Sequence, residues 1–389
     1  MCSPAAYVIA VSDVEHAFAR SADGQFVAID RYLIQFRGRQ VIGIVGDGLL
    51  PLTIVANADG GEDVRAEFSC SYGDQRSPAT IILMRGDQSI EEHYHQRGAK
   101  YDTPFSTNGD RFRTSIILCE ALNYDRSLSR HPPLILRSPD GAFSLTIGAT
   151  FQRPVGRVIS GKSDGRDKRE QRLVHCLNPV YGLKDPRWII EYLEYHRAIG
   201  VSHVHLYNVD AHGPAVQAAL QAYRDEDFVT RHDWSSRASR GYTTHKTYEH
   251  AKWAAQTDCA LRSRGIYDYA LFSDIDEVAV GGSGGTLAAD SLVGHLAPAL
   301  DACEEAKKTR GKVACSFNSN TVSSIYTQLD DEEEMALRDK LILERYNRIE
   351  AKPHCPANCK QLGSKLDRRF HTGRQKYIAN VRDLNIPPR

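Results

Sequence analysis

The chain has 389 residues, 41% apolar and 25% charged, so a sizeable core can be buried and the length suits two domains of ordinary size. Basic and acidic residues balance at 49 each, which removes any electrostatic reason to expect nucleic acid or an anionic membrane as partner. The opening residues Met1–Val11 lack a basic region, and no apolar run of about 18 residues occurs, so this sequence predicts neither a signal peptide nor a spanning helix and reads as soluble.

Up to residue 152 the pattern is strand-like. Apolar, β-branched runs recur at 41–45, 52–55, 81–84, 115–119 and 144–147, with turn signals at Gly46-Asp47-Gly48, Asp59-Gly60-Gly61 and Pro139-Asp140-Gly141. A β-sandwich of about seven strands is expected here. Residues 153–172, mixing Gly, Ser, Asp and basic residues, read as a linker; acidic residues interrupt the basic ones, and no aromatics are interleaved for base stacking.

From Leu173 the period changes. A short buried strand at 173–177 is followed by Asp185-Pro186, an N-cap and first-turn proline, opening a helix whose apolar face is Trp188, Ile189, Tyr192, Leu193 and His196 and whose end is Gly200. Strands at 201–207, 228–234 and 267–273 alternate with helices at 213–224 and 244–264, the spacing of a parallel sheet with helices on both faces. Further helices are predicted near 286–308 and 331–348. The third unit, 173–389, is thus an α/β domain.

Chemistry concentrates where the last of these strands ends. Tyr269-Ala-Leu-Phe-Ser273 runs into Asp274-Ile275-Asp276-Glu277. Ligands of open α/β sheets bind outside the carboxyl ends of the strands, and carboxylates at i and i+2 there can share a hard divalent ion, Mn²⁺ or Mg²⁺, that bridges a diphosphate. Asp274 and Asp276 are therefore the candidate metal ligands, and Glu277 either orients the ion, accepts a sugar hydroxyl or caps the following turn. A haloacid-dehalogenase-type phosphatase would place a nucleophilic Asp274 and an acid Asp276 in the same pattern. It would need Asp330-Asp331 as its later acidic pair, and that pair follows no apolar strand. Trp234 and the histidines of 232–250 are candidates for lining a sugar groove, and Lys246 and Lys376 for contacting a diphosphate as point charges.

Nine cysteines are scattered through the chain, open to free thiols or disulfides. His354-Cys355-Pro-Ala-Asn-Cys359, with His371 downstream, supplies only one cysteine pair, which fits unlinked thiols or a disulfide better than zinc.

Several stretches, in order, resemble glycosyltransferase family 92, and the plant galactan synthases in particular. They are Cys176-Leu-Asn-Pro-Val-Tyr181-Gly182, Trp188-Ile-Ile-Glu-Tyr-Leu-Glu-Tyr195-His196, Gly200-Val-Ser-His-Val-His-Leu-Tyr207, Asp258-Cys-Ala-Leu-Arg262, the Asp274-Ile-Asp276 triplet and Arg374-Gln-Lys376-Tyr377-Ile378. The resemblance implies a GT-A-type, Rossmann-like mixed sheet flanked by helices, preceded by a β-sandwich-like, carbohydrate-binding-like domain. It also implies an inverting transfer of galactose from a UDP-sugar to an oligo- or polysaccharide acceptor, with Mn²⁺ (or Mg²⁺) on Asp274 and Asp276; Tyr181, Lys246 and Lys376 are the further candidates for the donor site. Family members carry an amino-terminal Golgi membrane anchor and a His after the Lys-Tyr segment. Neither appears in this sequence, so a fragment truncated at the carboxyl end is expected, and a carbohydrate-binding protein without turnover is the alternative.

Overall fold

The structure, a computed structural model, describes parts of 13–83, together with 113–119, 132–148, 172–210, 213–235, 250–277, the strands 316–319 and 376–380, and Glu305. The interdomain linker except Arg172, Lys246, the cluster at 354–371 and the expected helices at 286–308 (apart from the helical Glu305) and 331–348 lie outside the described residues.

The amino-terminal part contains β1 (Asp13–Val14), β2 (Ala19–Arg20), β3 (Phe26–Phe36), β4 (Arg39–Gly48), β5 (Thr53–Ala56), β6 (Glu62–Arg65), β7 (Ser69–Tyr72), β8 (Gln75–Leu83), β9 (Arg113–Cys119), β10 (Leu134–Arg137) and β11 (Ser144–Ile147). Eight of these strands form one antiparallel sheet in the order β11-β10-β7-β8-β9-β4-β3-β2, and β5 and β6 pair separately. The long β8 serves both halves: Gln75–Pro78 pair with β7, and Ala79–Leu83 pair with β9. Bent at that strand, the sheet curls over Phe26, Ile42, Ile44, Ile117, Leu134, Leu136, Phe143 and Leu145. Its two ends approach where Ala22 N–H donates to Ser144 O at 3.0 Å, and the disulfide Cys70–Cys119 joins its halves.

Gly46-Asp47-Gly48, expected as a turn, lies inside β4. A Cβ at Gly46 would sit 2.9 Å from Val27 O and 2.6 Å from a Phe26 ring carbon. Glycine is required there by the close approach of β3, not by a turn. Pro139-Asp140-Gly141 does turn the chain, with Gly141 at φ +72° and Asp140 Oδ1 accepting Ala142 N–H at 3.0 Å.

The second part contains β12 (Leu173–Val180), α1 (Pro186–Ala198), β13 (Val201–Asn208), α2 (Pro214–Asp225), β14 (Val229–Asp233), α3 (Lys252–Ser263), β15 (Tyr269–Ser273), β16 (Ser316–Ser319) and β17 (Lys376–Asn380). The sheet order is β1-β14-β13-β12-β15-β17-β16. Strands β1, β14, β13, β12 and β15 run parallel, β17 is antiparallel to β15, and β16 is antiparallel to β17. Asp185 caps α1 by accepting Arg187 N–H at 2.9 Å, Pro186 opens the helix, and Gly200 at φ +95° closes it. Helix α3 follows His250 and Ala251, both at positive φ, and residues 244–249 of the expected helix lie outside the described residues. No helix among the described residues is long and apolar enough to cross a membrane.

Alternate residues of the central strands face different layers. Leu173 and Leu177 of β12 and Tyr269 and Leu271 of β15 pack with α1 and α2 through Ile189, Leu193, Val216 and Leu220. Val174, Cys176, Ala270 and Phe272 point the other way, onto Ala254, Ala255 and Cys259 of α3, and that core continues into Val27, Ile29, Ile34, Val41 and Leu118 of the curled sheet. Helix α3 is therefore enclosed between two sheets, and the disulfide Cys176–Cys259 fastens it to β12.

A buried polar network crosses the same boundary. Arg262 of α3 donates to Asp258 Oδ2 at 2.9 Å and to Asp30 Oδ2, from β3, at 2.8 Å. Tyr207 OH donates to Asp258 at 2.6 Å, His16 Nδ1 lies 2.5 Å from Asp30, and His16, His232 and His205 follow one another at 3.2 and 2.9 Å. Burying these charges is costly in isolation and tolerable because each has a partner. Burial also pushes the Asp258 carboxyl up and holds His205 and His232 well below the usual histidine range.

Candidate active site

All parallel strands of the second sheet present their carboxyl ends along one edge, and β12, β13 and β15 end there in polar residues. Asn178 and Tyr181 come from the end of β12, Asn208 and Asp210 from the end of β13, and Asp274 to Glu277 follow β15. Gly182 N–H donates to Asp210 Oδ2 at 3.2 Å, which ties the first two of these exits together.

Asp274 is the fixed point of this edge. Its Oδ1 accepts a 2.6 Å bond from Asn178 Nδ2, and Asn178 Oδ1 accepts from Gln256 Nε2 at 2.8 Å. Lys252, one turn before Gln256 on α3, places its ammonium 3.2 Å from each Asp274 oxygen. Beneath the carboxylate, Tyr192 OH donates to the Asp274 carbonyl at 3.0 Å and lies 2.9 Å from Ser273 Oγ, which also meets His175 Nε2 at 2.9 Å. Burial, and then the neighbouring His196, hold His175 well below the usual histidine range, so this buried support stays neutral.

Glu277 folds back. Its Oε2 accepts the Asp274 N–H at 2.8 Å, and its own N–H donates to the Asp274 carbonyl at 3.1 Å. The carboxylate thus holds the turn on which Asp274 and Asp276 are displayed, the capping role among those expected for it. Asp276 is exposed and Asp274 is partly exposed. Asp274 and Asp276 are the carboxylates of this turn that could hold a hard divalent ion.

The other expected site residues separate into groups. Tyr181, 55% exposed, lies at this edge with its ring 4.4 Å from that of His250. Lys376 opens β17 just before Tyr377, which pairs with Phe272, so its backbone lies beside the carboxyl end of β15. Trp234 and His232 are fully buried and cannot line a groove; Trp234 donates its indole N–H to the His250 carbonyl at 2.7 Å. Asn178, Lys252 and Gln256 were not anticipated. Their signals were a lone amide in an otherwise buried strand and two polar residues four apart, hence on one face, at the start of α3.

Residues 171–294 match the sequence model of glycosyltransferase family 92. This segment is similar to family 92 domains. A Caenorhabditis elegans protein named beta-1,4-galactosyltransferase galt-1 is 26% identical to the chain over 123 residues, 31% of this chain and 28% of that relative. The match therefore covers under a third of the relative's length. The family 92 segment contains β12 to β15 and all three described helices, and so Asn178, Lys252, Gln256, Asp274 and Asp276 together.

Proposed function

We propose that the chain transfers a hexose, galactose, from a UDP-sugar to an oligo- or polysaccharide acceptor with inversion, using a divalent ion on Asp274 and Asp276. One observation carries this reading: an Asp-x-Asp turn at the carboxyl end of a central parallel strand, with its first carboxylate locked by Asn178 and facing a cationic head. The name of the galactosyltransferase relative supports the hexose. Bound there, Mn²⁺ or Mg²⁺ would offset the charge that grows on a departing nucleoside diphosphate. The protein's own contribution is placement: the Gln256–Asn178 pair orients Asp274, Glu277 holds the turn, and Tyr181 offers an aromatic face at the mouth.

A GT-A arrangement accords with the parallel strands and the antiparallel β17 beyond β15. The curled sheet is the counterpart of the carbohydrate-binding-like module. The disulfides Cys70–Cys119 and Cys176–Cys259 accord with folding in an oxidising compartment, as Golgi residence requires.

The test is thermal unfolding with UDP and Mn²⁺, singly and together. A ligand at about 100 times its dissociation constant stabilises by roughly 2.7 kcal/mol. A rise that needs both ligands, and is lost in Asp276→Ala with the unliganded midpoint retained, is expected. No rise, or release of inorganic phosphate from a generic ester, would reject the reading; binding without consumption of UDP-galactose would assign a carbohydrate-binding role.

A further inference from the structure

Lys252 has no part in the expected donor site, yet its ammonium meets the Asp274 carboxylate. Its side chain is 13% exposed, against 33% for Asp274, and the ammonium is shared between both carboxylate oxygens at 3.2 Å each. Charge-assisted N–H···O bonds close to about 2.7–2.9 Å when optimal. The Asn178 bond to the same carboxylate, at 2.6 Å, is tighter than either lysine contact. These two partners of the Asp274 carboxylate differ in kind: Asn178 is a short contact, itself anchored by Gln256, whereas Lys252 is a looser counter-charge on a flexible stem.

From this difference we infer that Lys252 is a diphosphate-binding residue, held on Asp274 until the divalent ion displaces it. This rests on the reading of Asp274 and Asp276 as the metal ligands. An ammonium and a divalent ion cannot both occupy the accessible side of one carboxylate, because like charges in a partly desolvated site repel strongly. Arrival of the ion frees the Lys252 head while the carboxylate stays oriented by Asn178. The diphosphate of the donor, which accompanies the ion, would then offer the released ammonium a new anionic partner within one side-chain swing. Lys252 thus competes with the metal alone and cooperates with the metal–nucleotide complex.

That double role gives an opposite-sign signature. Binding of Mn²⁺ alone, and of UDP at saturating Mn²⁺, is measured by titration calorimetry on the wild-type chain, Lys252→Gln and Lys252→Arg. In Lys252→Gln, Mn²⁺ alone should bind several-fold more tightly and UDP about tenfold or more weakly, the loss expected for one hydrogen bond to a charged group. Lys252→Arg should recover most of the UDP affinity. Wild-type binding of UDP with Mn²⁺, together with unchanged affinities in Lys252→Gln, would overturn this inference and leave the proposed function standing. A Lys252→Gln variant weakened equally toward Mn²⁺ and UDP would also overturn it, since that is the mark of a purely structural contact. Failure of the wild-type chain to bind UDP with Mn²⁺ would overturn the proposed function and the inference together.

Discussion

Arg262→Met tests whether the curled sheet and the parallel sheet fold as one unit. The guanidinium is fully buried and bridges Asp258 on its own helix to Asp30 on β3, so the substitution leaves two buried carboxylates that faced it. Hydrogen bonds to charged groups contribute about 1.5–3 kcal/mol each, and two are lost. Breaking a buried pair by removing one partner costs about 3–5 kcal/mol by an independent route, so the estimates agree near 4 kcal/mol. At about 2–4 °C per kcal/mol the unfolding midpoint at neutral pH should fall by roughly 8–16 °C. Because Asp30 and Asp258 sit on opposite sides of the boundary, the transition should also broaden or split as the sheets lose their shared charge balance. Adding Asp30→Asn to Arg262→Met removes one uncompensated charge and should recover part of the loss. Circular dichroism melts of wild type, both single variants and the double variant close the cycle. A midpoint within about 1 °C of wild type for Arg262→Met would refute the reasoning.

Asp47 gives a pH prediction. Burial raises its carboxyl from 3.8 to about 7, which corresponds to roughly 4 kcal/mol. The protonated form is favoured in the fold, so this contribution is fully present below about pH 4 and is lost as pH rises through about 7. Asp47→Asn should match wild type near pH 4 and exceed it above pH 7; identical stability–pH profiles would discard the assignment. Asn178→Ala removes the short bond that fixes Asp274 and should weaken Mn²⁺ binding about tenfold, as read by calorimetry, and the buried Gln256 amide loses this acceptor, so the unliganded fold should lose about 1–3 kcal/mol as well. Replacing Cys176 and Cys259 by Ala opens a loop of 83-residue separation and should cost about 4–5 kcal/mol on the chain-entropy account, seen as a lower denaturant midpoint. An unshifted midpoint would mean that packing of α3 on β12 holds without the bond.

Much was legible because local signals carried it. Asp185-Pro186 and Gly200 mark both ends of α1, and the apolar strand running into Asp274-Ile-Asp276 marks the site edge, since caps, periodicity and strand ends depend on neighbours in the chain. The stretch Asp258 to Arg262 was legible as a family feature, but its use was not: it docks β3 through Asp30 rather than meeting a donor. Gly46 read as a turn because a glycine needed for close approach looks, in sequence, like one needed for positive φ. Among the histidines of 232–250, read as groove candidates, His232 lies in the core, where His205 of the neighbouring strand partners it.

The sequence by itself determined the order of strands and helices between Leu173 and Ser273, the change of period near Leu173 and the acidic turn, because these follow from propensity, capping and hydrophobic period along a few consecutive residues. Only the tertiary structure decided that Asn178, Lys252 and Gln256 converge on Asp274, that Glu277 holds the turn, and that Asp30 pairs with Arg262 across 232 positions. The physical reason is the same in each case. A hydrogen bond or ion pair is specified by distance and burial in three dimensions, and residues far apart in the chain carry no local mark of the partner that packing will bring to them.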